Sequence, residues 1–139
     1  MATPMTTKEQ FVDDLMLDAL EDSIPLPDVA GLAIAAFPEF GPKAAREFAQ
    51  GVVRDLLTRG WVELRSQTAE DFEGVPLRPE RVDAARFSDA LRDARQWSRE
   101  TVGDAPTRYF IHATTKGNRE LHESLLERGL YRPGPEHEP

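Results

Sequence analysis

The sequence predicts a mainly helical protein with a small β-hairpin, an α+β domain, and three observations predict it. The stretch PLPDVAGLAIAAF (residues 25–37) reads as a short apolar helix that ends at the break PEFG. A longer amphipathic helix follows, PKAAREFAQGVVRDLLTRG (42–60), with proline at its start and glycine just past its end. Proline has a preset φ and no N–H to leave unpaired in a first turn, and glycine accepts the left-handed cap. The strand WVELR (61–65) comes directly after, and a second strand, TRYFIHAT (107–114), stands about forty residues further on.

At 139 residues the chain is one domain's worth, with a hydrophobic fraction of 40% and no cysteine. Disulfides, thiolate chemistry and zinc knuckles are therefore excluded. No apolar run approaches the ~20 residues of a membrane span, and MATPMTTKEQ does not read as a signal peptide. The expectation is a cytoplasmic protein with no membrane contact.

The net charge of −8 is unevenly placed. From Met1 to Asp28 seven acids face Lys8 alone, a local balance of −6, whereas Val29 to Arg65 carries five bases against four acids. Nucleic-acid binders concentrate basic charge to release counterions from phosphates. Here the excess is negative and gathers in and just after the first helix.

That helix is expected to start at Thr6 or Thr7, where Thr6 with Glu9 or Thr7 with Gln10 forms a capping box. Phe11, Val12, Leu15, Met16, Ala19 and Leu20 recur at helical spacing and give it one apolar face. Asp14, Asp18 and Glu21 line up on the opposite face, with Asp13 and Asp22 on its flanks. Like charges at this spacing repel by roughly a few tenths of a kcal/mol per pair. The stripe reads either as a solvated face or, lacking any compensating lysine or arginine, as a surface for a basic partner. The second helix shows almost no polar face and is expected to be mostly buried. In the third, Ala45, Phe48, Ala49, Val52, Val53, Leu56 and Leu57 face inward, while Lys43, Arg46, Gln50 and Arg54 face outward.

After the first strand, the acidic loop SQTAEDFEGVPLRPE leads into a further predicted helix, ERVDAARFSDALRDARQWSR (80–99). Phe87, Leu91, Ala94 and Trp97 mark its buried stripe, beside Ala84 and Ala90. The domain is thus read as residues 1–131, with an insertion over about 66–106 and a disordered tail over 132–139. Thr115 is expected to cap the last helix, Lys116 to Arg128, in which Leu121 and Leu125 face inward and Gly129 makes the stop.

The order of these elements resembles the winged helix–turn–helix superfamily, over Thr7 to Arg65 and again from Tyr109 to Leu126. LLTRGWVEL (56–64), followed later by YFIHATTKGNREL (109–121), is similar to that superfamily's closing pattern, in which a Thr-x-x-Gly turn opens the last helix. The resemblance implies a winged-helix core, with an extra helix inserted between the two strands where a short wing normally stands. The layout is also similar to that of small actinobacterial winged-helix proteins. They share the Pro-Leu-x-acid-Val helix, the Leu-Leu-x-x-Gly-x-Val-Glu strand entry, a helix ending in tryptophan (here ARQW, 94–97) and the Thr-x-x-Gly turn. This second resemblance implies an association with polymorphic toxins and an immunity role, and it transfers no site residue.

No catalytic residue, cofactor or metal site is read from the sequence. No GxSxG elbow surrounds any serine, and glycine-rich phosphate and dinucleotide loops are missing. His112, His122 and His137 lack ligand spacing. Two binding readings compete. In one, Lys43, Arg46, Gln50 and Arg54 reach phosphates and base edges of DNA, as in a transcriptional regulator. Against it stand the missing wing and the acids Glu39, Glu47 and Asp55 flanking those bases. In the other, an acidic protein covers the basic cleft of a partner such as a toxin nuclease domain. Its contacts would be Asp14, Asp18 and Glu21, and separately Glu70, Asp71 and Glu73 around Phe72 as an apolar anchor. The inserted segment and the acidic balance favour the protein-binding reading.

Overall fold

The computed structural model describes residues 7–68 and 80–129, which form five helices and a four-stranded antiparallel sheet. Residues 70–73 of the predicted acidic loop and 132–139 of the predicted tail lie outside them.

Helix α1 (Lys8–Glu21) opens with a complete capping box. Thr7 Oγ1 accepts from Gln10 N at 3.1 Å while Thr7 N donates to Gln10 Oε1 at 2.9 Å. Strand β1 (Ile24–Pro25) leads directly into α2 (Leu26–Ala36). A single 3-10 turn, Pro38–Phe40, separates α2 from α3 (Gly41–Arg59). Gly60 closes α3 in the left-handed region at φ 75°, so the chain reverses at once into β2 (Val62–Thr68). β3 (Glu80–Arg81), α4 (Phe87–Arg92), β4 (Thr107–Ala113) and α5 (Thr115–Glu127) complete the order.

The sheet runs β1-β4-β2-β3. β2 and β4 pair along their whole lengths, from Val62 opposite Ala113 to Thr68 opposite Thr107. The pairing of β1 with β4, Ile24 opposite Ile111 and Pro25 opposite Phe110, is an addition to the expected hairpin. Pro25 lacks a ladder donor and is tolerated because β1 is an edge strand. On the inner face Ile24, Val62, Leu64 and Ile111 meet the helices, and Leu15, Met16, Leu26, Leu56 and Leu121 are almost fully buried among them. At one end of the helical layer Phe11, Phe37 and Phe48 meet with ring centroids 4.8–5.8 Å apart, and Phe40 stacks on Phe37 at 5.0 Å.

Three local expectations are corrected. The helix predicted over 80–99 is broken: β3 pairs with β2 at Arg65 and Ser66, and only Phe87–Arg92 is α-helical. The Asp93 carboxylate accepts from Arg95 N at 3.1 Å, a side-chain cap that competes with helix continuation. The chain then turns through a 3-10 segment, Ala94–Trp97, which buries Gln96 and Trp97 together and leaves Ala94 and Ala84 exposed. Second, α2 is not buried all round, since Gly31, Leu32 and Ala35 face solvent. Third, Thr114 rather than Thr115 caps α5, its hydroxyl accepting from Gly117 N at 2.9 Å.

Candidate partner-binding face

The predicted acidic stripe survives folding as a surface feature. Asp14, Asp18 and Glu21 are all exposed on α1, and none forms an ion pair among the described residues. Apolar side chains stand beside them: Leu17 of α1 is 42% exposed and Leu32 of α2 is 41% exposed. A smaller depression between the two helices is lined by Asp14, Asp18, Leu32 and Ala35. The exposed leucines and the carboxylates thus share one surface across α1 and α2.

A larger cleft adjoins this face. It encloses ≈ 580 Å³ between the end of α1, α2 and the segment after Trp97. Ile24, Pro25, Pro27 and Leu32 supply apolar lining, and Asp18, Glu21, Asp22 and Asp28 supply the carboxylates. Arg99 reaches into the same cleft and is held by Asp28, donating from Nε at 3.0 Å and from a terminal nitrogen at 2.8 Å. A predicted flank residue, Asp13, does not belong to the stripe. It is buried and takes a two-point bond from Arg128.

No protein-family model, curated protein or solved structure matches this chain. The reading of the site therefore rests on its own geometry.

The outward face of α3 differs from the sequence expectation. Lys43 and Arg54 are exposed and Arg46 is half-buried, but Gln50 is committed within the protein. Its Nε2 donates at 2.8 Å to Leu91 O, and Trp97 Nε1 donates at 2.9 Å to the same carbonyl. That carbonyl lies in the last turn of α4, where no helical donor follows, so two side chains satisfy it. Lys43, Arg46 and Gln50 line one cavity of ≈ 370 Å³ with Arg92, Trp97 and Thr101 of the inserted segment. The insertion thus stands against the α3 face instead of leaving it open. Asp55, on the flank, pairs with Arg59 at 3.3 Å.

The insertion is fastened in turn by Gln96, which is fully buried. Its Nε2 donates to Thr107 O at 2.5 Å and its Oε1 accepts from Tyr109 N at 3.2 Å. These two groups lie on β4 just beyond the residues paired with β1, so the Gln96 amide continues the ladder. Glutamine at a position read as part of a charged helix gave no signal of this. At the turn itself, Asp93 is held below the ordinary carboxylate range, chiefly by its hydrogen bonds from the Arg95 side chain.

Among the histidines, His112 lies on β4 and its buried Nδ1 has no hydrogen-bond partner among the described residues. His122 donates from Nδ1 to Asn118 O at 2.8 Å. Among the described residues no group of three or more His, Asp or Glu side chains is placed to hold a metal ion. No helix among them is long and apolar enough to cross a membrane. The second predicted anchor cluster, Glu70, Asp71, Phe72 and Glu73, lies outside the described residues.

Proposed function

We propose that this chain is a cytoplasmic, winged-helix-like binding protein that holds a basic protein partner against its α1–α2 face. The observation that carries this reading is the row Asp14, Asp18 and Glu21, exposed and without cationic partners among the described residues, beside exposed Leu17 and Leu32. Unpaired like charges on one helix face cost stability in the free protein, and a cationic surface relieves that cost on binding. Carboxylates would speed the encounter, and the leucines would set the residence time.

The finer fold reading is supported by the order helix, short strand, helix, helix, strand and by β1 lying beside β4 in the sheet. Occlusion of a basic cleft, such as that of a toxin nuclease domain, is the concrete role the layout resemblance implies. The DNA-binding alternative asks Lys43, Arg46, Gln50 and Arg54 to face a duplex. Gln50 is already bonded to Leu91, and the inserted segment lines the same face.

The test is affinity capture from native lysate by the tagged chain, with and without nuclease, beside the charge-reversed variant D14K/D18K/E21K. One stoichiometric basic protein, retained after nuclease and lost with the variant, is the expected result. Capture of a nuclease-sensitive DNA locus that the variant does not disturb would replace this reading with the DNA-binding one.

A further inference from the structure

The ≈ 580 Å³ cleft and the ≈ 370 Å³ cavity adjoin. They share Arg46, Trp97 and Ser98 in their linings and so meet around the Trp97 side chain. On the α1–α2 side the carboxylates without an ion pair among the described residues are Asp18 and Glu21, with Asp22 beside them, while Arg99 is paired with Asp28. On the α3 side Lys43, Arg46 and Arg92 form no ion pair or hydrogen bond through their side chains among the described residues. Glu47 and Glu100 also line that end, so its balance is three cations to two acids. The adjoining cavities are therefore acidic on the α1–α2 side, where the floor is also apolar, and carry a small cationic excess on the α3 side.

Two physical points set what such a cleft takes. Each cavity has the volume of a small-ligand site, and the two adjoin at Arg46, Trp97 and Ser98. Opposite charges placed apart in a shared groove fix the direction of an occupant, because reversing it sets like charges against each other. A uniformly basic segment satisfies only one end. A segment with a cation at one end, an apolar side chain between and a carboxylate at the other satisfies both.

We propose that the cleft holds a short extended segment of the protein partner that has this bipolar pattern. Its lysine or arginine lies toward Asp18, Glu21 and Asp22, its apolar residue lies over Pro27 and Leu32, and its carboxylate lies toward Lys43, Arg46 and Arg92. The cleft shares Asp18, Glu21 and Leu32 with the face proposed above, so the inference rests on that reading and sharpens it from a basic partner to a directional one.

The experiment is a membrane-bound array of decapeptides with lysine, leucine and glutamate permuted between the ends and the middle, probed with the full-length labelled chain. The expected result is that peptides with lysine at one end and glutamate at the other retain about tenfold more protein than all-lysine or all-glutamate peptides. The variant R46E/R92E should abolish that preference and shift retention toward the all-lysine set. A far-ultraviolet circular dichroism spectrum and thermal midpoint like those of the parent chain establish that the variant is folded. In solution, the best peptide should change the fluorescence of Trp97 in a W61F background. Equal retention of bipolar and all-lysine peptides, or a preference unchanged in R46E/R92E, overturns the bipolar cleft while leaving lysate capture by the acidic face intact. Absence of retention across the whole array also overturns it. Loss of the lysate partner's dependence on Asp14, Asp18 and Glu21 would instead remove the parent reading.

Discussion

Arg128 donates from both terminal nitrogens to the two carboxylate oxygens of Asp13, at 3.1 and 2.9 Å, across 115 residues of chain. The pair ties the end of α5 to α1, and thus the last element of the fold to the helix that carries the acidic face. Glu9 lies 3.5 Å from the same guanidinium. Together the two acids hold Arg128 above its ordinary pKa, chiefly through the Asp13 hydrogen bonds.

The pair is not symmetric. The Asp13 side chain is 13% exposed and that of Arg128 is 29% exposed. Removing Arg128 strands a nearly buried carboxylate, whereas removing Asp13 leaves a guanidinium that keeps Glu9 and reaches water. R128A should therefore lower the thermal midpoint by about 5 °C, and D13A by about half as much. Differential scanning fluorimetry of both variants and the double variant decides it. Equal, independent shifts that add in the double variant would show that the bond contributes nothing.

The start of α5 is set by contact with the α3–β2 corner. Thr114 N donates to Trp61 O at 2.9 Å, and the Thr114 hydroxyl donates to Gly60 O at 2.6 Å. The first turn of α5 consequently lies on the Trp61 backbone, and a Cβ at Gly117 would stand 2.0 Å from Trp61 O. Backbone cannot swing away as a side chain can. G117A should destabilise by about 3 kcal/mol even though alanine is the better helix former. The exposed neighbour Asn118 provides the control, and N118A should change the urea-unfolding free energy by less than about 0.5 kcal/mol. A G117A variant as stable as the parent would mean that α5 does not seat on Trp61.

Gln96 should be among the residues least tolerant of substitution in the insertion. Q96L fills nearly the same volume but leaves the part-buried Thr107 O and Tyr109 N without their Gln96 partner. A loss of about 3 kcal/mol is expected on chemical unfolding. Hydrogen exchange at the Tyr109 amide should accelerate in the same variant. An unchanged exchange rate would show that the amide is protected by something other than Gln96.

How far the sequence disclosed this arrangement depended on the range of the interaction involved. The Thr7–Gln10 capping box, the Gly60 stop and the apolar stripe of α1 are set within a few residues, so periodicity and cap chemistry locate them. β1 escaped notice because Ile24 and Pro25 look like a turn, and they become a strand only by pairing with Ile111 and Phe110. The broken helix escaped because alternating charge from Glu80 to Arg99 satisfies a helical pattern as well as a solvated irregular segment. What breaks it is the local cap at Asp93 together with the distant demands of Thr107 and Tyr109 on Gln96. For the candidate site, the α1 row was readable because exposed charges keep their helical spacing. The commitment of Gln50 to Leu91 was not readable, since it joins residues 41 apart. Asp13 was misplaced for the same reason: its partner lies at the other end of the domain.

The turn that breaks the inserted segment should be sensitive to acid through Asp93. Its carboxylate accepts from Arg95 Nε at 2.9 Å and from a terminal nitrogen at 3.0 Å, besides capping Arg95 N. These bonds favour the ionised form and lower its pKa below the ordinary 3.8 in the folded state. A group depressed by folding adds stability above its unfolded pKa and loses it as the pH falls through the folded one. The urea midpoint of the parent should thus exceed that of D93N by about 0.3 M at neutral pH, a modest gap because water screens the pair. Asparagine keeps an oxygen for the Arg95 N–H, so the comparison isolates the charge. The gap should hold down to about pH 5 and close as the pH drops below 3.8. A gap that is the same at pH 7 and pH 3 would show that the Asp93 charge does not contribute to holding the turn that carries Gln96 and Trp97 into the core.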